Sequence, residues 1–264
     1  MSIKTPEELE GMKIAGRIVR RMLEAMKAGV HPRVTTKELD EIGARVMREH
    51  GARSAPSLVY GFPGVSCISV NEEIVHGIPG ARMLKRGDLL KLDVTIEKDG
   101  FMADAAETVI VVGEQSDEAE SGSAQPLGVA DGGVAQQLAD CARDAFDAAM
   151  HVARAGNRIV DIGAAVEAEV NRSGFFVVRE LCGHGIGRTI HEQPNVPNYA
   201  DPNTHGMLTE GLVITVEPII ASRSGKAYLA RDGWTMRTAD HGLAAHHEHT
   251  LVITSGEPLL LTAA

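Results

Sequence analysis

Four acidic residues interrupt β-like sequence, and they are the side chains of this chain best suited to chemistry. Asp93 and Asp104 lie in "KLDVTIEKDGFMAD", Glu217 ends the run "GLVITVE", and Glu248 begins "EHTLVIT". A lone glutamate at the end of a strand is usually solvated, so each one alone indicates little. Their number points to a shared site, because several inward-facing carboxylates would repel one another unless cations lie between them.

A tight turn sets the relationship between the two aspartates. Asp99-Gly100 is a favoured dipeptide for a two-residue hairpin turn between strands. With these residues in the turn, Asp93 lies opposite Ala106, and Asp104 projects from the same face with its Cβ roughly 7 to 8 Å from that of Asp93. Two divalent cations about 3.5 to 4 Å apart would relieve the repulsion. An error of one residue in the turn would instead direct one aspartate to solvent.

A glycine-rich segment offers imidazoles to the same site. "ELCGHGIGRTIHEQPN", residues 180–195, carries His184 and His191 on a backbone that suits neither a helix interior nor an ordinary strand. The segment is either a surface loop with incidental histidines or a pliable backbone that brings an imidazole close to the acids. One imidazole with several carboxylates suits Mn, Fe, Co or Zn. His241, His246, His247 and His249 are expected at the surface or behind the ligands.

Two helix pairs are predicted to support these elements. Thr5-Pro6-Glu7-Glu8 has the form of a helix start, and a capping box of Thr35 or Thr36 with Glu38 or Asp40 begins a second helix. Two further helices follow in the second half, the first from near Leu138. Ile-Gly-Ala recurs at matching places in both halves, which indicates a duplicated plan.

The composition excludes several classes of protein. The chain has 264 residues, a formal net charge of −10 and 3% aromatic residues, so neither a phosphate-binding surface nor a base-stacking platform is expected. The polar start lacks the apolar core of a signal peptide, and no apolar run reaches the roughly 20 residues of a membrane span. Cys67, Cys141 and Cys182 form no disulfide framework. We therefore expect a cytoplasmic protein with no direct nucleic-acid or membrane binding.

Across nearly its whole length the chain resembles the type I methionine aminopeptidases, in their short form. The matching segments are "TPEELEGMKIAGRI", "NEEIVHGIP", "KLDVTIEKDGFMAD", "CGHGIGRTIHEQP", "TVEP" and "DGWTMRTADHGLAAHHEHT". The resemblance implies the α+β pita-bread fold, in which two pseudo-symmetric halves, each with a helix pair, surround a curved antiparallel sheet. We expect one catalytic domain over 1–264, whose halves, about 1–113 and 138–264, are joined by a flexible acidic insertion at 114–137.

The resemblance also implies a ligand set for two divalent metal ions, which are Co, Mn, Fe or Zn. By this correspondence Asp93 binds one metal through both oxygens, and Asp104 and Glu248 bridge the two. His184 and Glu217 complete the shell of the other metal. Metals so placed would activate a water molecule to attack a peptide bond.

Catalytic and substrate-binding roles follow from the same correspondence. Glu217 is expected to accept the proton of the attacking water, His191 to face the scissile carbonyl, and His76 to hydrogen-bond the scissile amide. The methionine side chain of the substrate is expected to contact Val59, Phe62, Cys67, Ile190 and Trp234. Cys67 is alternatively only a small core residue.

The implied activity is removal of the initiator methionine from nascent polypeptides with a small second residue. We expect a monomer that meets nascent N-termini, with transient ribosome contact compatible with this role. The alternatives are a broader-specificity or proline-specific aminopeptidase of the same fold, or a non-catalytic binding protein that keeps the fold. Proline-specific relatives usually carry a preceding domain, for which the early first helix leaves no room. Two departures from the family are Tyr60, where a histidine is usual, and the Ala-Asp-Ala around Asp104.

Overall fold

Two helix pairs and one large antiparallel sheet make up most of the structure, a computed structural model that describes residues 1–113 and 132–263. The helices of the described residues are α1 Pro6–Ala28, α2 Thr36–Glu49, α3 Ala55–Tyr60, α4 Gly132–Met150 and α5 Ile159–Arg172. Helix α1 packs against α2, and α4 packs against α5, so each half contributes one pair. None of the described helices is long and apolar enough to cross a membrane.

The predicted helix starts in the first half are confirmed. Thr5 caps α1 by accepting a hydrogen bond from the amide of Glu8, and proline occupies the first turn. The capping box of α2 uses Thr35 and Glu38. Asp40, the other acid considered for this box, instead accepts hydrogen bonds from the residues before the second strand. Each cap satisfies amides that the helix itself leaves unpaired.

Helix α4 begins earlier than the sequence predicts. It starts at Gly132, so residues 132–137, which were expected in the flexible insertion, belong to the helix. The buried side chain of Ala135, one turn before Leu138, explains the longer helix, because both contribute to its apolar face. Residues 114–131 of the expected insertion lie outside the described residues.

Short strands surround two long ones. In chain order the strands are β1 Arg53–Ser54, β2 Cys67–Val70, β3 Glu73–Val75, β4 Leu89–Lys98, β5 Phe101–Ile110, β6 Phe176–Val177, β7 Cys182–Gly185, β8 Glu192–Pro197, β9 Val213–Val216, β10 Ile219–Ala221, β11 Ala227–Leu229, β12 Met236–Thr238, β13 Ala244–His246, β14 Glu248–Val252 and β15 Leu259–Leu260. The large sheet has the order β1-β4-β5-β14-β9-β7-β8, with β2 beside β4 and β15 beside β14. Within the described residues, the neighbouring strands of this sheet pair antiparallel.

The two halves of the chain meet at a single strand pair in this sheet. Every strand on the β5 side precedes residue 114, and every strand on the β14 side follows residue 131. The β4–β5 hairpin has the predicted register, with Asp93 opposite Ala106 and Lys98 opposite Phe101. One apolar cluster fills the space between the first helix pair and the sheet, and a second cluster does so for the other pair. The candidate site lies where these two halves join.

Candidate metal centre

A row of side chains crosses the sheet at the junction of the two halves. Cys67 on β2 lies opposite Asp93 on β4, Asp93 lies opposite Ala106 on β5, and Ala106 lies opposite Glu248 on β14. Directly paired residues of antiparallel strands project from the same face of a sheet. The row therefore places two carboxyl groups on one face, with only a thiol and a methyl group as their in-row neighbours.

Asp104 lies next to this row on the same face and is almost fully buried. It is directly opposite Thr95 on β4. The hydroxyl of Thr250 accepts from the Asp104 amide at 2.9 Å and donates to the Asp104 carbonyl at 2.8 Å. These two threonines provide hydroxyls near Asp104, although alanines flank it in sequence. Among the residues that the structure describes, none hydrogen-bonds to the Oδ1 atom of Asp104.

His184 and Glu217 approach the row from β7 and from the end of β9. The Nε2 atom of His184 is 3.6 Å from Oε1 of Glu217. The hydroxyl of Thr215 links them, since it accepts from the His184 amide at 3.0 Å and donates to Oε1 of Glu217 at 2.9 Å. Nδ1 of His184 is 2.9 Å from the carbonyl oxygen of Gly185, which can only accept, so the ring proton is on Nδ1. Nε2 therefore presents a lone pair to the acids, as a metal ligand must.

The glycines beside His184 are required by close backbone packing. A Cβ atom at Gly183 would lie 2.6 Å from the carbonyl oxygen of Thr215, and one at Gly185 would overlap the carbonyl of Gln193. Larger residues would push β7 away from β9 and β8. The pliable segment expected from the sequence is thus a strand pressed between two neighbours, and it holds His184 within reach of the acids.

The buried acids destabilise one another's ionised forms. Burial raises the pKa of Asp104, Glu217 and Glu248 well above their usual values, and repulsion from nearby carboxylates adds to the shift. Burial also raises the pKa of Asp93. A cation placed among these groups would remove the repulsion.

The donor atoms have the spacing of metal ligands. One ligand atom each of Asp104, His184 and Glu248 lie within 4.8 Å of one another, and the same holds for Glu217, His246 and Glu248. Oδ1 of Asp104 and Oε1 of Glu248 are buried acceptors without hydrogen-bond partners in the described part of the chain. Oxygen and imidazole donors of this kind suit divalent transition metals. The residues present therefore fit a divalent metal centre.

His246 lies against two of the predicted ligands, Glu248 and Glu217, which is one of the two kinds of position expected for it from the sequence. It is only 2% exposed, and its Nε2 is 3.3 Å from Oε2 of Glu248 and 3.8 Å from Oε2 of Glu217. Neither ring nitrogen has a hydrogen-bond partner within residues 1–113 and 132–263. Strand alternation is the signal that locates it, because residues two apart share a face and Glu248 faces the site.

The other histidines of this segment do not face the metal centre. His247 and His249 pack edge-on against Phe146 of α4, with ring centroids 5.3 and 5.1 Å from the phenyl ring. His241 is exposed at a position with φ of 56°. His241 is thus at the surface as expected, whereas the buried His249 packs against α4, away from both the surface and the metal centre.

A cavity of about 90 Å³ opens beside the acids. It is lined by most of the predicted substrate-contacting residues and by both predicted catalytic histidines: Phe62, Cys67, His76, Ile190, His191 and Trp234, together with Pro56, Tyr60, Asp93, Thr95 and Asp104. The rings of Phe62 and Trp234 meet edge to face with centroids 5.2 Å apart. The walls are thus largely apolar, and the acids are at one side.

Val59 does not line this cavity, contrary to the prediction. It is 43% exposed on α3, whereas its neighbours Pro56 and Tyr60 contribute to the wall. Pro56 and Tyr60 are four residues apart and share a helix face, while Val59 is rotated by about 100° from Tyr60. The family correspondence therefore placed the right helix at the cavity but not this side chain.

Comparison with known proteins gives a consistent result over the full length. Residues 10–255 match the family described as metallopeptidase family M24. Methionine aminopeptidase 2 of Bacillus subtilis (strain 168) is 42% identical over 264 residues, which cover 99% of each chain. The methionine aminopeptidase of Escherichia coli (strain K12) is 38% identical over 264 residues, covering 99% of this chain and 94% of that one.

Solved structures show the same fold. The crystal structure of methionine aminopeptidase from Thermotoga maritima superposes with a TM-score of 0.89 at 32% identity and covers 100% of both chains. Prolidase from Pyrococcus furiosus has a TM-score of 0.73 at 20% identity, covering 99% of this chain and 65% of that chain, and it shows the fold alone. The predicted α+β pita-bread fold and the resemblance to type I methionine aminopeptidases are confirmed.

Proposed function

The chain belongs to metallopeptidase family M24, and from this premise we propose that it removes the N-terminal methionine from polypeptides by hydrolysis. The observation that carries the proposal is the buried acidic cluster beside a cavity with largely apolar walls. The cluster supplies hydrolytic chemistry, and the cavity has room for one unbranched side chain. The full-length similarity to methionine aminopeptidases at 38% and 42% identity supports the same activity.

Five residues would hold the metal: Asp93, Asp104, His184, Glu217 and Glu248. We propose that they bind two divalent ions, because four carboxylates exceed the charge that one such ion can balance. When bound, the ions would supply Lewis-acid activation of a water molecule and of the scissile carbonyl. The donor set is compatible with Co, Mn, Fe or Zn.

The surrounding side chains would move the protons. Oε1 of Glu217 accepts from Thr215, which leaves Oε2 to take a proton from the attacking water and pass it to the leaving amine. His191, at the cavity wall, would donate a hydrogen bond to the carbonyl oxygen as negative charge develops. Burial lowers the pKa of His191, and electrostatic repulsion from His76 lowers it further. The ring is therefore neutral at pH 7. His76 lines the same cavity and would hydrogen-bond the scissile amide.

The cavity would receive the methionine side chain. The apolar surfaces of Phe62, Ile190 and Trp234 suit a flexible thioether. Burial raises the pKa of the Cys67 thiol well above its usual value, and the nearby carboxylate of Asp93 raises it further. Cys67 therefore contributes a neutral thiol. A small second residue would be preferred, because the histidines and the acids flank the scissile bond. Equal kcat/KM for Met-Ala-Ser and Met-Lys-Ser would contradict this preference.

The substrates would be the N-termini of newly made polypeptides. We propose that the chain acts on them in the cytoplasm, as a monomer with transient access to the ribosome. The free amine of the substrate would meet the carboxylate side of the cavity near Asp93, which would restrict cleavage to the first residue.

Hydrolysis of Met-Ala-Ser by metal-loaded protein tests the proposal. The purified chain is stripped of metal and reloaded with Mn, Fe, Co or Zn, and the metal bound per chain is measured on the samples assayed. We expect release of free methionine with two ions per chain. Cleavage of a Xaa-Pro peptide in preference to Met-Ala-Ser would favour the proline-specific alternative, and metal binding without cleavage of either would favour the binding protein.

A further inference from the structure

We propose that Tyr60 is a positioning residue that fixes the ring proton of His191 on Nε2, the nitrogen that would meet the substrate. The hydroxyl of Tyr60 is 2.5 Å from Nδ1 of His191, and the two rings lie 5.7 Å apart at an angle of 34°. This inference rests on the proposed function, because it concerns the histidine assigned to the scissile carbonyl.

The contact with Tyr60 is the one that can decide which nitrogen carries the proton. A neutral imidazole has one N–H and one lone pair, and a hydrogen bond at one nitrogen determines the state of the other. Within residues 1–113 and 132–263, no other hydrogen bond reaches either ring nitrogen of His191. The partly buried phenol of Tyr60 has a raised pKa, so the hydroxyl keeps its proton at neutral pH.

The direction of this hydrogen bond has a functional consequence. The imidazole lone pair is a better acceptor than a phenol oxygen, so the Tyr60 hydroxyl donates to Nδ1 of His191. The proton of the neutral ring is then on Nε2, and Nε2–H can donate to the carbonyl oxygen in the cavity. With the opposite direction, Nε2 would present a lone pair to the carbonyl and would repel the developing negative charge.

Tyr60 is held at a defined place by the short helix that it ends. Gly61 follows it in the left-handed conformation, with φ of 72°, and its amide donates back to the carbonyl of Ser57 at 3.1 Å. The hydroxyl oxygen of Ser57 lies 2.8 Å from the carbonyl oxygen of Phe62 and 2.7 Å from that of Gly64, so its single proton is shared between these two acceptors. These bonds fix the last turn of α3, so the phenol reaches His191 from a constrained backbone although 48% of Tyr60 is exposed.

Tyr60→Phe tests the proposal, because it removes the hydroxyl and keeps the ring. Nitrogen NMR of the zinc-loaded protein labelled at histidine reports which ring nitrogen carries the proton, and His191→Ala assigns the signal. We expect the Nε2–H form in the wild type and a mixture of both forms in Tyr60→Phe. We also expect kcat for Met-Ala-Ser to fall about 10- to 100-fold, with KM changed less than about twofold, as when an oxyanion donor is lost or misplaced.

Two further variants separate positioning from simple stability. Tyr228→Phe removes another hydroxyl, from a tyrosine that is 42% exposed on β11, and should change neither readout. Tyr60→His restores a hydrogen-bonding ring and should recover part of the lost kcat. The NMR measurement does not require activity, so it tests the hydrogen bond even if the proposed function is wrong.

Three results would contradict the proposal. An Nδ1–H form of His191 in the wild type would show that Tyr60 accepts rather than donates. An unchanged proton position and unchanged kcat in Tyr60→Phe, or an effect on KM alone, would show that Tyr60 does not position His191. If Tyr60→Phe failed to fold, the wild-type NMR result and Tyr60→His would still decide.

Discussion

Asp93 and Glu248 share one cross-strand partner: each lies directly opposite Ala106, Asp93 from β4 and Glu248 from β14. Two strand spacings therefore separate their backbones by roughly 9 to 10 Å. A single methyl group lies between the two carboxyl side chains on that face. The width of this gap determines whether both carboxylates can reach the same ions.

Enlarging Ala106 should therefore disturb the metal centre more than the fold. Ala106 is fully buried, and Ala106→Val would add two methyl groups between the carboxylates. We expect at least a tenfold loss of metal affinity and of Met-Ala-Ser hydrolysis, with destabilisation of about 1 to 3 kcal/mol. Ala106→Gly, which widens the gap, is the matched control and should keep the metal. Equal metal affinity in both variants would contradict this role of the methyl group.

Removing one charge from the acidic cluster should remove bound metal. In Asp104→Asn or Glu248→Gln the side chain keeps its size and loses a ligand oxygen at a position where an oxygen has no other partner. We expect activity below about 1% of the wild type, because each side chain would serve both ions. Metal content by mass spectrometry and the rate on Met-Ala-Ser should be measured on one sample. Near-normal turnover at saturating metal would contradict the assignment of these residues as metal ligands.

His246 should support the carboxylates around the metal. Its Nε2 lies 3.3 Å from Glu248 and 3.8 Å from Glu217. We expect His246→Ala to weaken metal binding about 10- to 100-fold, the usual cost of losing a group that orients ligands. Calorimetric titration with Mn²⁺ would measure the metal affinity of each variant. His247→Ala, next in sequence but packed against Phe146, should bind within about twofold of the wild type. Identical affinities for the two variants would exclude a role for His246.

The repeated Ile-Gly-Ala segments predict unequal costs for the same substitution. A methyl group at Gly163 would lie 2.6 Å from the carbonyl oxygen of Pro197, and closer to that of Tyr199. At Gly43 it would instead meet the flexible end of Met26, with the sulfur at 2.8 Å. We expect Gly163→Ala to lower the free energy of unfolding by about 1 to 3 kcal/mol. Gly43→Ala should stay within about 1 kcal/mol, because helix propensity gains offset the crowding. Urea denaturation compares them, and equal losses would contradict the packing argument.

Local rules predicted much of the fold and of the ligand set. The Asp-Gly turn alone fixed the pairing of Asp93 with Ala106, because hairpin register follows from the turn. A capping box at the start of α2 was likewise predictable, as Thr35 or Thr36 with Glu38 or Asp40, and the structure selects Thr35 and Glu38. The five proposed ligands came from residue types that are costly to bury in β-like sequence, together with the family resemblance.

The features that were missed depend on contacts between distant segments. Tyr60 and His191 are 131 positions apart, and no local pattern brings a phenol to that imidazole. Strand alternation with Glu248 distinguishes His246 from the other three histidines of this segment. The same expectation, at the surface or behind the ligands, was nevertheless given for all four. The early start of α4 follows from the burial of Ala135, which only the packed structure reveals.

The pairing of β5 with β14 also orders events during synthesis. Asp104 on β5 and Thr250 on β14 hydrogen-bond to each other across 146 positions of sequence. During synthesis, the edge of β5 that pairs with β14 stays unpaired until β14 has left the ribosome. The ligands of the two halves first meet at that moment. An enzyme proposed to trim the beginnings of growing chains would therefore gain its own competence only after β14 has emerged and paired with β5.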